Sequence, residues 1–323
     1  MKKLLSLLLA LLLSVSLFGC SSSEEPQEES GEKIYNIGVL QLIQHVALDA
    51  ATDGFIRALD EKMPGKYKVN VQNASGDANN CNTIANQFVN ENVDLIMANA
   101  TPALQASASA TSSIPIVGVS ISHYGTALDI SPWNGTTGKN ITGVSDLAPL
   151  DQQAAQILEI FPDTKSVGIL YCSAEANSDY QATVVEESLK ALGVSVKRFT
   201  FSDSNDLAAV TQSACDESDV IYVPTDNTCA SFAETINNVT LNANTPVVAG
   251  EEGICKGCGC VTISISYDTI GYQAGLMAYE ILVNGADPAT MEIQFAPEYT
   301  KKYNPANCEK YGITLPEDYV PID

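Results

Sequence analysis

Short apolar runs alternate with stretches of helical periodicity along nearly the whole chain. Ile37-Gly38-Val39-Leu40 reads as a buried parallel strand. The following residues, near 47–62, place Leu48, Phe55, Ile56 and Leu59 on one inward helical face. The rhythm repeats. "YKVNVQNAS" precedes a helix near 78–91 carrying Ile84, Phe88 and Val89, and "VDLIMANA" leads to a helix opening at Thr101-Pro102, where proline suits the first turn. "IPIVGVS" ends in a polar loop containing Trp133. A second series follows in "KSVGILYC", "VSVKRFTF", "SDVIYVPTDNT", "TPVVAGEEG" and "CVTISISYD", closed by a long helix over 268–284. This alternation predicts an α/β protein of two doubly wound parallel-sheet lobes. The polar residues that interrupt it, such as Gln41 and His45, fall where a strand's carboxyl end meets a helix. In open α/β sheets that crevice takes ligands.

The amino end stands outside this pattern. Lys2 and Lys3, then "LLSLLLALLLSVSLF", then Gly19-Cys20 read as a secretory signal over residues 1–19. Leu17-Phe18-Gly19-Cys20 resembles the bacterial lipobox, with Cys20 as the lipid-modified first residue. An uncleaved anchor is the competing reading, although the apolar segment is short for a span. Residues 20–33, with "SSSEEPQEESGEK", have nothing to bury and read as a disordered tether. The expected location is therefore extracytoplasmic, lipid-anchored to the membrane through Cys20.

Charge narrows the partners. Without Lys2 and Lys3 the chain carries 14 basic against 39 acidic residues, or −25. Such a surface repels phosphate backbones, so no nucleic-acid partner is expected. Beyond Cys20 there are eight further cysteines. The cluster "CKGCGC" (Cys255, Cys258, Cys260) admits a local disulfide, free thiols or, as the minority reading, a metal site. No metal and no cofactor is assigned.

Six segments, in order, resemble the ABC-transporter substrate-binding proteins of the tryptophan/tyrosine-type family: "IGVLQLIQHVALDAATDGF", "ANATPALQA", "NITGVSD", "LYCSAEANSDYQ", "VPTDNTCAS" and "SYDTIGYQAGLMAYEIL". They span about residues 34–290; Cys172 and the "CKGCGC" loop depart from the pattern. The resemblance implies a type I periplasmic-binding fold whose lobes are joined by a three-strand hinge, with crossings near Ser145-Asp146, Ile265-Ser266 and Met291. The first lobe would comprise 34–146 plus 266–290, the second 147–265 plus 291–323. The implied function is to capture a small solute, an aromatic amino acid for preference, and deliver it unchanged to an ABC permease. A sensory receptor of the same fold is the alternative. An extracellular hydrolase is disfavoured, because the chain has only two histidines and no recognisable nucleophile–base motif.

In that architecture the strand ends would meet a ligand through Gln41, His45, Asp49, Thr101 and Ser120 of the first lobe and Ser145 at the hinge. Ser173, Asn177, Ser178, Asp226 and Asn227 would face them from the second lobe, with Tyr267 at the second crossing. Thr101, Ser145, Ser178 and helix-start amides suit a ligand carboxylate; Asp226 suits its ammonium. Tyr171, Tyr124, Tyr267 or Trp133 could stack on an aromatic side chain. Helix capping is the competing role for Asp49, Asp146, Asn177, Ser178 and Asp226. His45 could be purely structural, Trp133 a packing residue at a lobe edge, and Glu175 and Glu251 are expected to be solvated.

Overall fold

A computed structural model describes residues 33–322; the expected signal, Cys20 and nearly all of the tether lie outside the described residues. Two sheets organise the chain. The first holds β1 (Tyr35–Gln41), β2 (Tyr67–Asn73), β3 (Leu95–Asn99), β4 (Ile116–Ile121), β5 (Ile141–Ser145) and β11 (Gln294–Phe295) in the order β11-β5-β4-β3-β1-β2, all parallel. The second holds β6 (Ser166–Cys172), β7 (Ser195–Phe201), β8 (Val220–Val223), β9 (Val247–Ala249), β10 (Val261–Ser264), β12 (Thr300–Tyr303) and β13 (Val320–Pro321). Its order is β13-β12-β10-β9-β8-β6-β7, with β10–β12 the antiparallel pair. In each sheet the chain winds outward in both directions from its opening strand, β1 or β6. Each sheet therefore has a switch point, and the crevice beyond the strands' carboxyl ends is where such sheets bind ligands.

Helices cover both faces of each sheet, which explains the unbroken apolar runs. Leu95, Ile96, Met97 and Ala98 of β3 are fully buried, split between apolar clusters on the sheet's two sides. Edge strand β2 instead alternates, exposing Lys68, Asn70, Val71 and Asn73, as one face meets water. Among the described residues no helix is long and apolar enough to cross a membrane.

The long carboxyl-terminal helix α11 (Tyr267–Leu282) follows β10 of the second sheet yet packs on α1 (Val46–Lys62) of the first. Glycine permits that close crossing. A Cβ at Gly271 would lie 2.0 Å from the Ala51 carbonyl oxygen, and one at Gly54 2.2 Å from that of Asp268. The chain thus passes between lobes after β5, after β10 and once more before β12. That third passage lies later than expected. Gln294 and Phe295 pair with Val144 and Ser145 of the first sheet, so the crossing follows Phe295 and not Met291.

The cysteine cluster also departs from the leading expectation. All eight cysteines of the described residues are unbonded and buried. Cys255 sits in a helical turn, α10 (Glu252–Gly257), and packs with Cys258 on one face of the second sheet, while Cys260 joins Cys308 on the other. Burial raises these thiols, Cys260 to about 12 and Cys308 to about 11. They behave as small apolar side chains.

Candidate ligand-binding site

The carboxyl ends of the two sheets meet around a small inner cavity of about 10 Å³. His45, Leu48 and Ser120 line it from the first lobe, and Asp146 and Tyr267 from the crossings. Asn177, Thr225, Asp226, Asn227, Ala230 and Glu251 line it from the second. The lobes touch around it: His45 Nε2 lies 3.3 Å from Asn227 Oδ1 across the gap.

The first-lobe wall is unfinished. Thr101 Oγ1, Ser120 Oγ and His45 Nδ1 are buried without a hydrogen-bond partner, as is Asn177 Oδ1 opposite them. Thr101 opens helix α3 (Thr101–Ala110), and Asn177 reaches its side as well as the inner cavity. Backbone geometry aims these groups. Ala100 and Ser120, ending the turns after β3 and within β4, have φ of +88° and +58°. Non-glycine residues adopt such angles at a cost of about 1–3 kcal/mol, and they concentrate at binding sites.

The second-lobe wall is acidic and self-satisfied. Glu175, expected to be solvated, is 4% exposed. It accepts hydrogen bonds from the Asn227 and Thr228 amides (3.0 and 2.9 Å), Asn227 Nδ2 (2.6 Å), Thr228 Oγ1 (2.9 Å) and Asn177 Nδ2 (3.2 Å). Glu251 was likewise expected in solvent and is 2% exposed, capping α10 through the Gly253 and Ile254 amides. In both cases strand-end donors outcompete water for the carboxylate. Asp226 caps the short helix α8 (Asn227–Ser231) through the Cys229 amide and also accepts from the Cys172 amide and Ser178 Oγ. At the hinge, Asp146 accepts from Ser122 Oγ (2.9 Å) and Tyr267 Oη (3.1 Å). Burial pushes Asp146 up to about 6 and Glu251 up to about 7. Asp226 is raised by burial and then by the charge of Glu175; His45 is lowered by burial. No lysine or arginine lines the inner cavity.

Several expected contacts do not face this cavity. Tyr171 points to the outer side of β6, where its hydroxyl donates to Asp179 Oδ1 (2.8 Å) and accepts from Arg198 Nη1. Ser173 is exposed and donates to the Phe201 carbonyl. Gln41 and Asp49 bond each other at 2.7 Å, and Thr52 Oγ1 donates to Gln41 Oε1, so this pair braces the turn after β1. Ser145 Oγ donates to the Ser122 carbonyl and accepts from the Leu147 amide, shaping the crossing. Ser178 touches the site indirectly, donating to Asp226 and accepting from Asn177 Nδ2. Tyr124 is buried beneath β4 and β5, and Trp133 stands edge-on to His123. Conversely, Thr225 and the bridging Ser122 and Gln181 were not singled out. Gln181 falls one helical turn after Asn177, and that spacing was the available signal.

The comparisons with known proteins decide the family. The model for ABC transporter substrate binding proteins matches residues 36–320. The chain belongs to this family. A tyrosine-binding protein of Clostridioides difficile is 33% identical over 291 residues, covering 87% of this chain and 84% of that protein. A Streptococcus pneumoniae ABC domain in complex with L-Trp superposes with a TM-score of 0.84 at 30% identity, covering 88% and 97% of the two chains. The ligand-free, open structure of a Clostridium difficile substrate binding protein with adhesive properties is 29% identical and covers 90% and 99%, yet its TM-score is 0.69. The two identities are nearly equal while the TM-scores differ; here the lobes touch across the cavity, His45 against Asn227. This substrate-binding protein is thus a type I periplasmic-binding fold serving as the solute receptor of an ABC importer. Proteins of the family work outside the cytoplasm.

Proposed function

We propose that this receptor captures a free aromatic amino acid between its lobes and releases it unchanged to its permease. One observation carries the reading: a wall of unpartnered hydroxyl and imidazole groups faces a wall of buried carboxylates with no cation between them. Unpaired buried polar atoms are costly, so a ligand that completes them gains affinity. The α-carboxylate would accept from Thr101 Oγ1 and Ser120 Oγ. The ammonium would supply the missing positive charge beside Asp226, Asp146 and Asn177 Oδ1. A mouth lined in part by Leu42, Ile43, Pro102 and Phe232 opens beside Asn227 and gives an aromatic ring apolar surface. The inner cavity as it stands, about 10 Å³, holds no more than a water molecule, so an amino acid would enter with the lobes parted. The similar proteins, one a tyrosine-binding protein and one in complex with L-Trp, support this choice.

The lobes, 34–146 with 266–295 and 147–265 with 296–322, would close about the three crossings. Capture without turnover is part of the same reading, since no nucleophile in the cavity has an activating base. Anchoring through lipidated Cys20 is also proposed, from the lipobox-like Leu17-Phe18-Gly19-Cys20. The decisive experiment is thermal denaturation with each amino acid, followed by calorimetry. Tyrosine or tryptophan at a hundred times its dissociation constant should add ~2.7 kcal/mol, and the ligand should be recovered intact. Tryptamine and indole-3-propionate, each lacking one charged end, should bind at least tenfold more weakly. Stabilisation by a sugar or nucleoside, with none by any amino acid, would refute the proposal.

A further inference from the structure

Helix α6 (Ala176–Ala191) begins in the ligand cavity with Asn177 and continues past it along the closed interface. Residues three and four positions on share its face, and both grip the first lobe. The Tyr180 ring lies flat on His123, centroids 4.5 Å apart at an interplanar angle of 5°. Gln181 Nε2 donates to Ser122 Oγ at 3.1 Å. The receiving surface is built within the first lobe alone. His123 caps the short helix α4 (Tyr124–Ala127): its Nδ1 accepts from the Thr126 amide at 3.1 Å and lies 2.8 Å from Thr126 Oγ1, which fixes the ring. Trp133 supports it edge-on at 5.9 Å. Gly125 leaves space for both rings, since a Cβ there would lie 2.9 Å from His123 Cε1 and 3.2 Å from Trp133 Cβ. Tyr180 and His123 do not line the inner cavity and stack directly on each other; with Thr101 and Asn177 they border a side gap too small for a water.

We infer that the Tyr180–His123 stack is a closure latch, a positioning contact that sets ligand residence time without touching the ligand. It forms only when the lobes meet, and α6 links it rigidly to Asn177. Ligand contact at one end of the helix and lobe contact one turn later are therefore made together. The inference depends on lobe closure and not on the identity of the solute.

The test compares wild type with Tyr180→Ala and Tyr180→Phe, using L-tyrosine and L-tryptophan as probes. Tyr180→Ala should weaken both about 3- to 10-fold, the size of one aromatic pair. The loss should appear as faster dissociation with an unchanged association rate. Tyr180→Phe keeps the ring and should restore affinity to within about twofold. Solution scattering at saturating ligand should show a larger radius of gyration for Tyr180→Ala. Unchanged affinity in the alanine variant, failure of phenylalanine to rescue, or a shift in preference between the two amino acids would each overturn the latch. If wild type binds neither probe, the amino-acid reading falls separately. The latch is then judged on ligand-free scattering, where equal radii for wild type and Tyr180→Ala would refute it.

Discussion

The two walls of the cavity solve different problems. On the first-lobe side, Ser120 Oγ and His45 Nδ1 on the wall and Thr101 Oγ1 just beside it are left without partners. On the second-lobe side, Asp226 and Glu251 on the wall and Glu175 behind Asn227 are deeply buried and already hydrogen-bonded by helix-start amides and neighbouring side chains. On the proposed reading one wall is completed by a guest; the other is complete alone and offers only its charge. The folded state can carry the acidic wall without ligand because amide donors stabilise it. The hydroxyl wall carries an unmet cost that binding relieves. Specificity for polar groups should therefore be concentrated on the first lobe and long-range attraction for a cation on the second.

The largest effect should come from breaking the self-sufficient wall. Glu175→Ala would strip the acceptor from the Asn227 and Thr228 amides and from both of their side chains. Several buried donors lost together should cost about 3 kcal/mol or more of stability, read by urea unfolding without ligand. A loss under about 1 kcal/mol would mean that the second wall does not hold itself together.

Next in size is the response to pH. Burial raises Asp146 to about 6 and Glu251 to about 7, above the ordinary carboxylate range near 4. A raised carboxyl means that the folded state holds its proton over a window where the unfolded chain has released it. The stability these two groups contribute to the ligand-free protein should thus be full below about pH 4, fall as pH rises to about 6 and 7, and level off above. Each group contributes about 1–3 kcal/mol to that fall. Glu251→Gln should flatten part of the slope. A ligand ammonium favours the ionised carboxylates, so affinity should instead rise over the same interval, with protons released on binding. Calorimetry in buffers of different ionisation enthalpy would detect them; proton uptake would contradict a cation at this wall.

The unfinished wall predicts a dissociation of stability from binding. Thr101→Val removes a buried hydroxyl that has no partner in the ligand-free protein. Stability should hold or improve slightly, while affinity falls about 5- to 30-fold, or roughly 1–2 kcal/mol. Equal losses in both measurements would erase the distinction between the walls.

How far these walls were legible in the sequence follows from what sets each feature. Apolar runs and helical periodicity determine which segments pair and pack, so the strand–helix succession from Ile37 to Leu282 could be read directly. Asp226 and Asn227 line the inner cavity, and Thr101 lies beside it, because strand ends of a doubly wound sheet converge. Side-chain burial beyond a strand end was not legible. Glu175 and Glu251 look solvated in isolation, and only the donors gathered around each carboxylate from elements distant in sequence or from the next helical turn explain their burial. The positive φ at Ala100 and Ser120 carries no glycine to announce it. The late third crossing depends on a two-residue strand, too short to leave a periodic signal.

The smallest effect tests the direction in which one predicted contact points. Tyr171 ends an apolar strand, and alternation along β6 decides whether its ring faces the cleft or the outer helix layer. It faces outward, beside Asp179 and Arg198. Tyr171→Phe would remove two hydrogen bonds, one to the exposed Asp179 carboxylate and one from Arg198, while Arg198 keeps its ion pairs with Asp179 and Glu186. Stability should change by no more than about 0.5–1 kcal/mol, and affinity for tyrosine or tryptophan by less than twofold. A larger affinity loss at unchanged stability would mean that β6 presents this ring to the ligand. The second wall would then contribute shape as well as charge, and its contrast with the first would narrow accordingly.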